Sequence, residues 1–212
     1  MASTITLWSL QDLEVWDVLR AGGVYRTDRQ IVEAAQIADH SAEYGVAYNW
    51  LAGQLAARTA PPVPGMWPVW AWHTCDPARP NRRPDLRRMR PDVPGVMLEL
   101  QVPAEQVLLS DLNHWHVPLN GWYDGRDWRR FEREVDARGI RFGDWDAAPD
   151  LKARVVGSWQ ACLRVRPDVW PVQAVLWEIR PEHVRNHWRF NGRPDRWTVP
   201  TRQAGEMEGV PR

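Results

Sequence analysis

Glu178 is the residue whose setting in the chain speaks most directly of chemistry. It stands in the run Val172-Gln173-Ala174-Val175-Leu176-Trp177-Glu178-Ile179, whose β-branched and aromatic residues predict the last strand over 172–179. Alternation puts Glu178 on one face with Ala174 and Leu176, while Gln173, Val175 and Trp177 face the other way. A carboxylate among apolar neighbours is desolvated and its pKa rises, unless a guanidinium or hydrogen bonds hold it ionised. Two readings follow: a catalytic carboxylate in a cleft beside Trp177, or an ion-pair partner for an arginine.

A second set of chemical groups occupies Leu109-Ser110-Asp111-Leu112-Asn113-His114-Trp115-His116, followed by Asn120 and Trp122. Ser110-Asp111 offers an N-cap and predicts a helix over 112–119. On that helix His116 and Asn120 lie four residues apart and share a face, whereas His114 points elsewhere. An H-x-H metal pair does not form on a helix, and neither His73 nor the carboxylates add ligand spacing, so no metal site is expected. Either Asp111 caps the helix and His116 packs in the core, or Asp111, Trp115, His116 and Asn120 contact a ligand. A third set is Val69-Trp70-Ala71-Trp72-His73, where Trp70 and Trp72 alternate onto one strand face. They fill the core or form a stacking wall. Six arginines, Arg79, Arg82, Arg83, Arg87, Arg88 and Arg90, fall within residues 78–90 and are opposed by Asp85 alone. Their forked donors suit phosphate, although a solvated loop has the same composition.

The elements that must position these groups read as one α+β domain over residues 1–193, with small mixed or antiparallel sheets flanked by helices and a flexible tail over 194–212. A strand at 5–8 leads to a helix over 11–21, with Leu13, Trp16 and Leu19 or Arg20 at helical spacing, ended by Gly22-Gly23. Residues 24–26 are extended. A long helical region over 28–58 carries Ile31, Ala35, Ala38, Ala42, Val46, Trp50 and Leu55 as its buried stripe, and stops at Pro61-Pro62-Val63-Pro64-Gly65. Strands follow at 69–73 and 95–102 with a short apolar run at 107–109, and exposed, charged helices at 126–138 and 151–163. Fifteen tryptophans in 212 residues imply an unusually aromatic core or a pocket that stacks flat ligands. Basic and acidic residues balance at 27 each, so no global field draws the chain to nucleic acid or membrane. No apolar run is long enough to span a bilayer, and the start shows no secretory signal. Cys75 and Cys162 form no motif and read as free thiols of a cytoplasmic protein. Phosphate-binding glycine loops, HExxH, CxxC and GxSxG are absent, which lowers the expectation of a nucleotide triphosphatase, zinc hydrolase or α/β-hydrolase.

Leu7-Trp8-Ser9-Leu10-Gln11, Pro68-Val69-Trp70-Ala71-Trp72, Pro84-Asp85-Leu86-Arg87, Leu108-Leu109-Ser110-Asp111 with Trp115-His116 and Asn120, and Gln173-Ala174 with Trp177-Glu178 together resemble a bacterial family described as a domain of unknown function, number 3841. More distantly, the layout resembles ADP-ribosyltransferases of the toxin and DNA- or RNA-modifying kind. There a first strand leads into a helix and a glycine turn, as Leu7-Trp8 leads to Gly22-Gly23-Val24, and a late strand carries the glutamate that contacts the nicotinamide ribose, a position Glu178 fills. That resemblance implies an ADP-ribosyltransferase-like fold and a transferase or glycohydrolase cleaving the nicotinamide–ribose bond of NAD, as a toxin or defence effector. It implies Glu178 as the catalytic carboxylate, with Gln11 and His116 orienting ribose or acceptor. Trp8, Trp72 and Trp177 stack the rings of NAD, and Arg83 and Arg87 take its pyrophosphate. Asp111, Trp115 and Asn120 contact the acceptor, which is a protein, a nucleic acid or a small molecule. Two other readings compete: a non-catalytic module that stacks bases on tryptophan, and a hydrolase or nuclease using His116, Asp111 or Glu178.

Overall fold

Leu7, Trp8 and Ser9 are buried in succession, which a strand permits only where both of its faces are covered. Their strand, β1 (Thr4–Gln11), is accordingly central in the sheet. The computed structural model describes residues 3–29, 42–76, 78–79, 82–85 and 93–191. After β1 come α1 (Leu13–Arg20), β2 (Tyr25–Arg26), α2 (Ala42–Ala56), β3 (Val69–Thr74), β4 (Pro94–Pro103) and β5 (Leu108–Asp111). The chain continues through α3 (Leu112–Leu119), α4 (Trp128–Ala137), α5 (Pro149–Ser158), β6 (Val172–Leu176), β7 (Glu178–Ile179) and β8 (Val184–Asn191). Six strands form one sheet in the order β5-β6-β3-β1-β4-β8, with every neighbouring pair antiparallel. β2 and β7 pair separately as a two-stranded ribbon.

Alternation sorts the sheet into two faces. One carries Leu7, Val69, Ala71, Leu98, Leu100, Ala174 and Leu176, and α1 packs on it through Val15 and Leu19. Helix α1 ends in a Schellman-type turn, where Gly22 N–H donates to Leu19 O and Gly23 N–H to Val18 O. Gly22 sits at φ 84°, and a Cβ on Gly23 would lie 2.9 Å from Val18 Cγ1, so the pair of glycines is required by shape. The other face is divided. Over β5, β6 and β3 it is covered by α2 and α3, with Leu51, Leu55 and Trp115 against Val175, Leu108 and Trp70. Over β1, β4 and β8 it carries Trp8, Met97, Trp188 and Phe190, joined by Trp72 from the adjoining end of β3. A further cluster joins α4 and α5 through Phe131, Val135, Leu151, Val155 and Trp159, and Trp50 of α2 bridges to it, meeting Trp159 edge-on at 5.6 Å. Complete burial of each such leucine contributes about 1.5–3 kcal/mol.

The structure is α+β with a mostly antiparallel sheet and flanking helices, and it corrects several sequence-based expectations. The run over 172–179 is not one strand: β6 stops at Leu176, and β7 leaves the large sheet to pair with β2. β8 was missed, because its edge position gives it exposed polar residues between Trp188 and Phe190 rather than an apolar run. In α2 the fully buried residues are Ala47, Leu51 and Leu55, while Val46 is exposed, so the expected stripe is one residue out of register at that point. Ile31, Ala35 and Ala38 lie outside the described residues, as does the tail. The helix expected over 151–163 changes to a 3-10 turn at Trp159–Leu163. Both expected exposed helices bury one apolar side, Phe131 and Val135 in α4 and Leu151 and Val155 in α5.

Candidate functional site

The register of the small ribbon gathers charge beside a cleft. Arg26 on β2 is the cross-strand partner of Glu178 on β7. Its Nε and Nη2 reach Glu178 Oε2 at 2.8 and 2.7 Å. Arg180, two residues beyond Glu178, holds the other oxygen, with Nε and Nη2 each 2.5 Å from Oε1. The carboxylate is therefore clamped by two guanidinium groups. Its side chain is 10% exposed, against 41% for Arg26 and 46% for Arg180, so the acid is buried and its partners reach solvent. Of the two readings of Glu178 the ion pair is present in the structure, and the pair sits in a cleft.

That cleft, about 720 Å³, is lined by Glu178, Trp177, Arg180, His183, Gln101 and Arg185, among others. Trp177 is buried and its indole N–H donates to Thr59 O at 2.7 Å, which anchors the segment after α2 to the end of β6. His183 is buried in the short 3-10 turn that follows Arg180, and burial pushes its pKa down. Its Nδ1 accepts the Arg180 backbone N–H at 3.3 Å, leaving the proton of the neutral ring on Nε2. The cleft thus carries a carboxylate, the part-exposed Arg180 guanidinium and a neutral imidazole, while Arg26 holds the carboxylate from beside the neighbouring pocket, a set suited to an anionic, hydroxyl-bearing ligand.

The other expected site residues fall in different places. Gln11 lies at the end of β1, where its Nε2 donates to Ser9 Oγ at 2.7 Å and Ser9 donates to Trp70 O at 2.9 Å. It does not line the Glu178 cleft. Asp111 is the N-cap of α3: Oδ1 accepts from Asn113 N and His114 N, and Oδ2 lies 2.7 Å from His114 Nδ1. His116 does not pack in the core as one reading expected, but is exposed with Nδ1 at 3.0 Å from Leu112 O. Asn120 donates to His116 O across one turn, as their spacing implied. Trp115 is core, against Trp70 and Tyr48. Trp8 and Arg83 share a second cleft, and Trp72 is the cross-strand neighbour of Trp8. Arg87 lies outside the described residues. Glu178 and Trp177 are thus brought together, while His116, Gln11 and Arg83 stand apart from them.

Arg26, Arg180 and His183 were missed. Arg180 had a signal, since it follows Glu178 by two and precedes Pro181. Arg26 had none, because nothing local says which strand β2 joins. Among the described residues no group of three metal-binding side chains gathers, and no helix is long and apolar enough to cross a membrane. Both cysteines are free, and burial pushes the Cys75 thiol up to about 11 and the Cys162 thiol up to about 12, so neither is a ready thiolate nucleophile.

Fold and site together define an antiparallel-sheet α+β domain with an arginine-clamped glutamate at a cleft. The chain belongs to the family described as Domain of unknown function (DUF3841), whose model matches residues 6–185. No curated protein and no solved structure matches it.

Proposed function

We propose that the protein cleaves the nicotinamide–ribose bond of NAD in the Glu178 cleft, as an ADP-ribosyltransferase-like enzyme or an NAD glycohydrolase. The observation that carries this reading is the β2–β7 register: it sets the segment after the glycine turn against the late-strand glutamate, at the edge of a cleft large enough for a dinucleotide. Where ADP-ribosyltransferases usually carry Arg or His on the first strand, this chain has Ser9 and Gln11, hydrogen-bonded to each other. The phosphate contacts therefore fall first to Arg180, which lines the cleft, with Arg26 on the other carboxylate oxygen. A pyrophosphate competes for these guanidiniums and frees the carboxylate to accept from the ribose 2′-hydroxyl. As the C1′–N bond breaks, its electron pair leaves with nicotinamide, and Glu178 stabilises the positive ribosyl centre. Water or an acceptor then adds to C1′ and gives up its proton to bulk water. His183, neutral at pH 7, offers an Nε2–H to a ligand oxygen.

The test combines a thermal melt with millimolar NAD and a chromatographic assay for released nicotinamide. A ligand at one hundred times its Kd adds about 2.7 kcal/mol, a shift of several degrees in a domain of this size. The expected result is that shift, with Glu178→Gln lowering nicotinamide release by about 10²- to 10³-fold. Neither shift nor release, or full release by Glu178→Gln, overturns the reading.

A further inference from the structure

Among the described residues, Trp8 and Trp70 each bury an indole Nε1 without an acceptor, and of the two Trp8 lines a cleft, whereas four other tryptophans are paired. Trp67 donates to Asn49 Oδ1, Trp145 to Gly121 O, Trp159 to Trp122 O and Trp177 to Thr59 O, all at 2.7–3.0 Å. Trp8 is 4% exposed, and its Nε1 is buried with no acceptor among the described residues. Buried donors are normally paired, and an exception calls for a physical reason.

Trp8 lines a cleft of about 640 Å³ on the half of the sheet over β1, β4 and β8, together with Met97, Trp188 and Phe190. The register explains the cluster: Trp188 stands opposite Met97, and Phe190 follows two residues along the same face of β8. The Trp8 and Trp188 rings lie 6.0 Å apart. Arg82 and Arg83, both exposed, form the basic rim, and the Arg83 guanidinium sits 4.4 Å from the Trp188 ring centroid. A flat cation on an indole occupies the position in which a nucleobase stacks. Two acids line this cleft: Glu99, held by Asn186 Nδ2 at 2.6 Å, and Asp85 beside the arginines.

We propose that this half of the sheet binds single-stranded nucleic acid. A base takes the face of Trp188, Arg83 turns from the ring to a flanking phosphate beside Arg82 on the rim, and the Trp8 N–H gains an acceptor as the cluster opens. The chemistry selects single strands, because an aromatic platform needs a base face that a duplex keeps inside its stack. The surface is separate from the Glu178 cleft, although the two abut on β4, where Glu99 lines one and Gln101 the other.

The experiment is fluorescence anisotropy of a labelled thymidine oligomer of about twelve nucleotides, a length matched to one stacking platform, titrated with the full chain. The expected result is saturable binding. Two phosphate contacts on a single strand make it about sevenfold weaker for a fourfold rise in salt. Arg83→Ala, at an exposed side chain, weakens it severalfold without lowering the melting temperature, and Trp188→Ala weakens it by about tenfold or more. No saturable binding up to about 100 µM protein, the weak limit of non-specific affinity, overturns the proposal. So does equal binding of the duplex, or unchanged binding in both variants. Equal affinity for a mononucleotide also overturns it, in favour of a small-ligand pocket. NAD-induced stabilisation is measured in Trp188→Ala alongside, so this surface and the Glu178 cleft stand or fall separately.

Discussion

Glu178→Gln, measured without any ligand, tests whether the arginine clamp is a structural latch. Each carboxylate oxygen accepts the Nε–H of one guanidinium and lies in ion-pair contact with its Nη2, Arg26 on Oε2 and Arg180 on Oε1. The acid is buried but both partners are nearly half exposed, so solvent screens one side of each pair. That places each pair at about 1 kcal/mol, the upper end for exposed bridges and well below the cost of breaking a buried one. Glutamine is nearly isosteric and keeps one acceptor oxygen, but its amide turns N–H donors toward the other guanidinium. One pair is lost, the second loses its charge assistance, and the sum is about 1–2 kcal/mol. For a domain of this size that lowers the melting temperature by about 3–8 °C. Circular-dichroism melts of wild type, Glu178→Gln, Arg26→Gln and the double variant measure the loss. They also give the coupling between the residues, which is expected to be favourable and to exceed about 0.5 kcal/mol for groups in contact. A Glu178→Gln protein that melts within about 1 °C of wild type, or above it, refutes the latch. A higher melting temperature would mean that the charged cluster is held at the expense of stability, as binding-site groups often are.

Asp111→Ala removes the cap of α3 and the His114 contact, and is expected to cost about 1–2 kcal/mol in urea melts, whereas Asp111→Asn, which keeps an acceptor for the helix N–H groups, loses much less. His183 has a folded pKa below its unfolded value, chiefly through burial, so the unfolded chain takes up its proton first as pH falls. Stability from the neutral ring is intact above the unfolded pKa, about 6.5, and is lost as pH falls from there toward the lower folded value. Melts between pH 8 and 5 should show that decline, with His183→Gln flatter across the window, and equal slopes would contradict the assignment.

What could be read in the sequence was whatever is local. The cap at Asp111, the helix behind it, the Gly22-Gly23 stop and β4 between its prolines all follow from residues within a few positions of one another, and the structure has each of them. The tryptophan excess posed a choice between core and pocket, and the structure answers with both: Trp67 and Trp115 are core, while the buried Trp8 and Trp177 each also line a cleft. Trp70 and Trp72 share a strand face as alternation required, yet one packs under the helices and the other beside Trp8, because α2 and α3 cover only half of the sheet. Sequence periodicity reports which face a residue takes and says nothing of how far along that face the cover extends. The clamp on Glu178 was illegible for a related reason. β2 is two residues long, too short for any periodic signal, and its partner lies 152 positions away. Arg26 is therefore one arginine among many until the chain closes. That long separation also bears on mechanism: the charge pair ties the segment after α1 to β7, near the end of the described chain. A ligand that draws either guanidinium off the carboxylate would loosen the ribbon where it borders the cleft, so occupancy of the site and opening of the ribbon would be linked through the same two ion pairs.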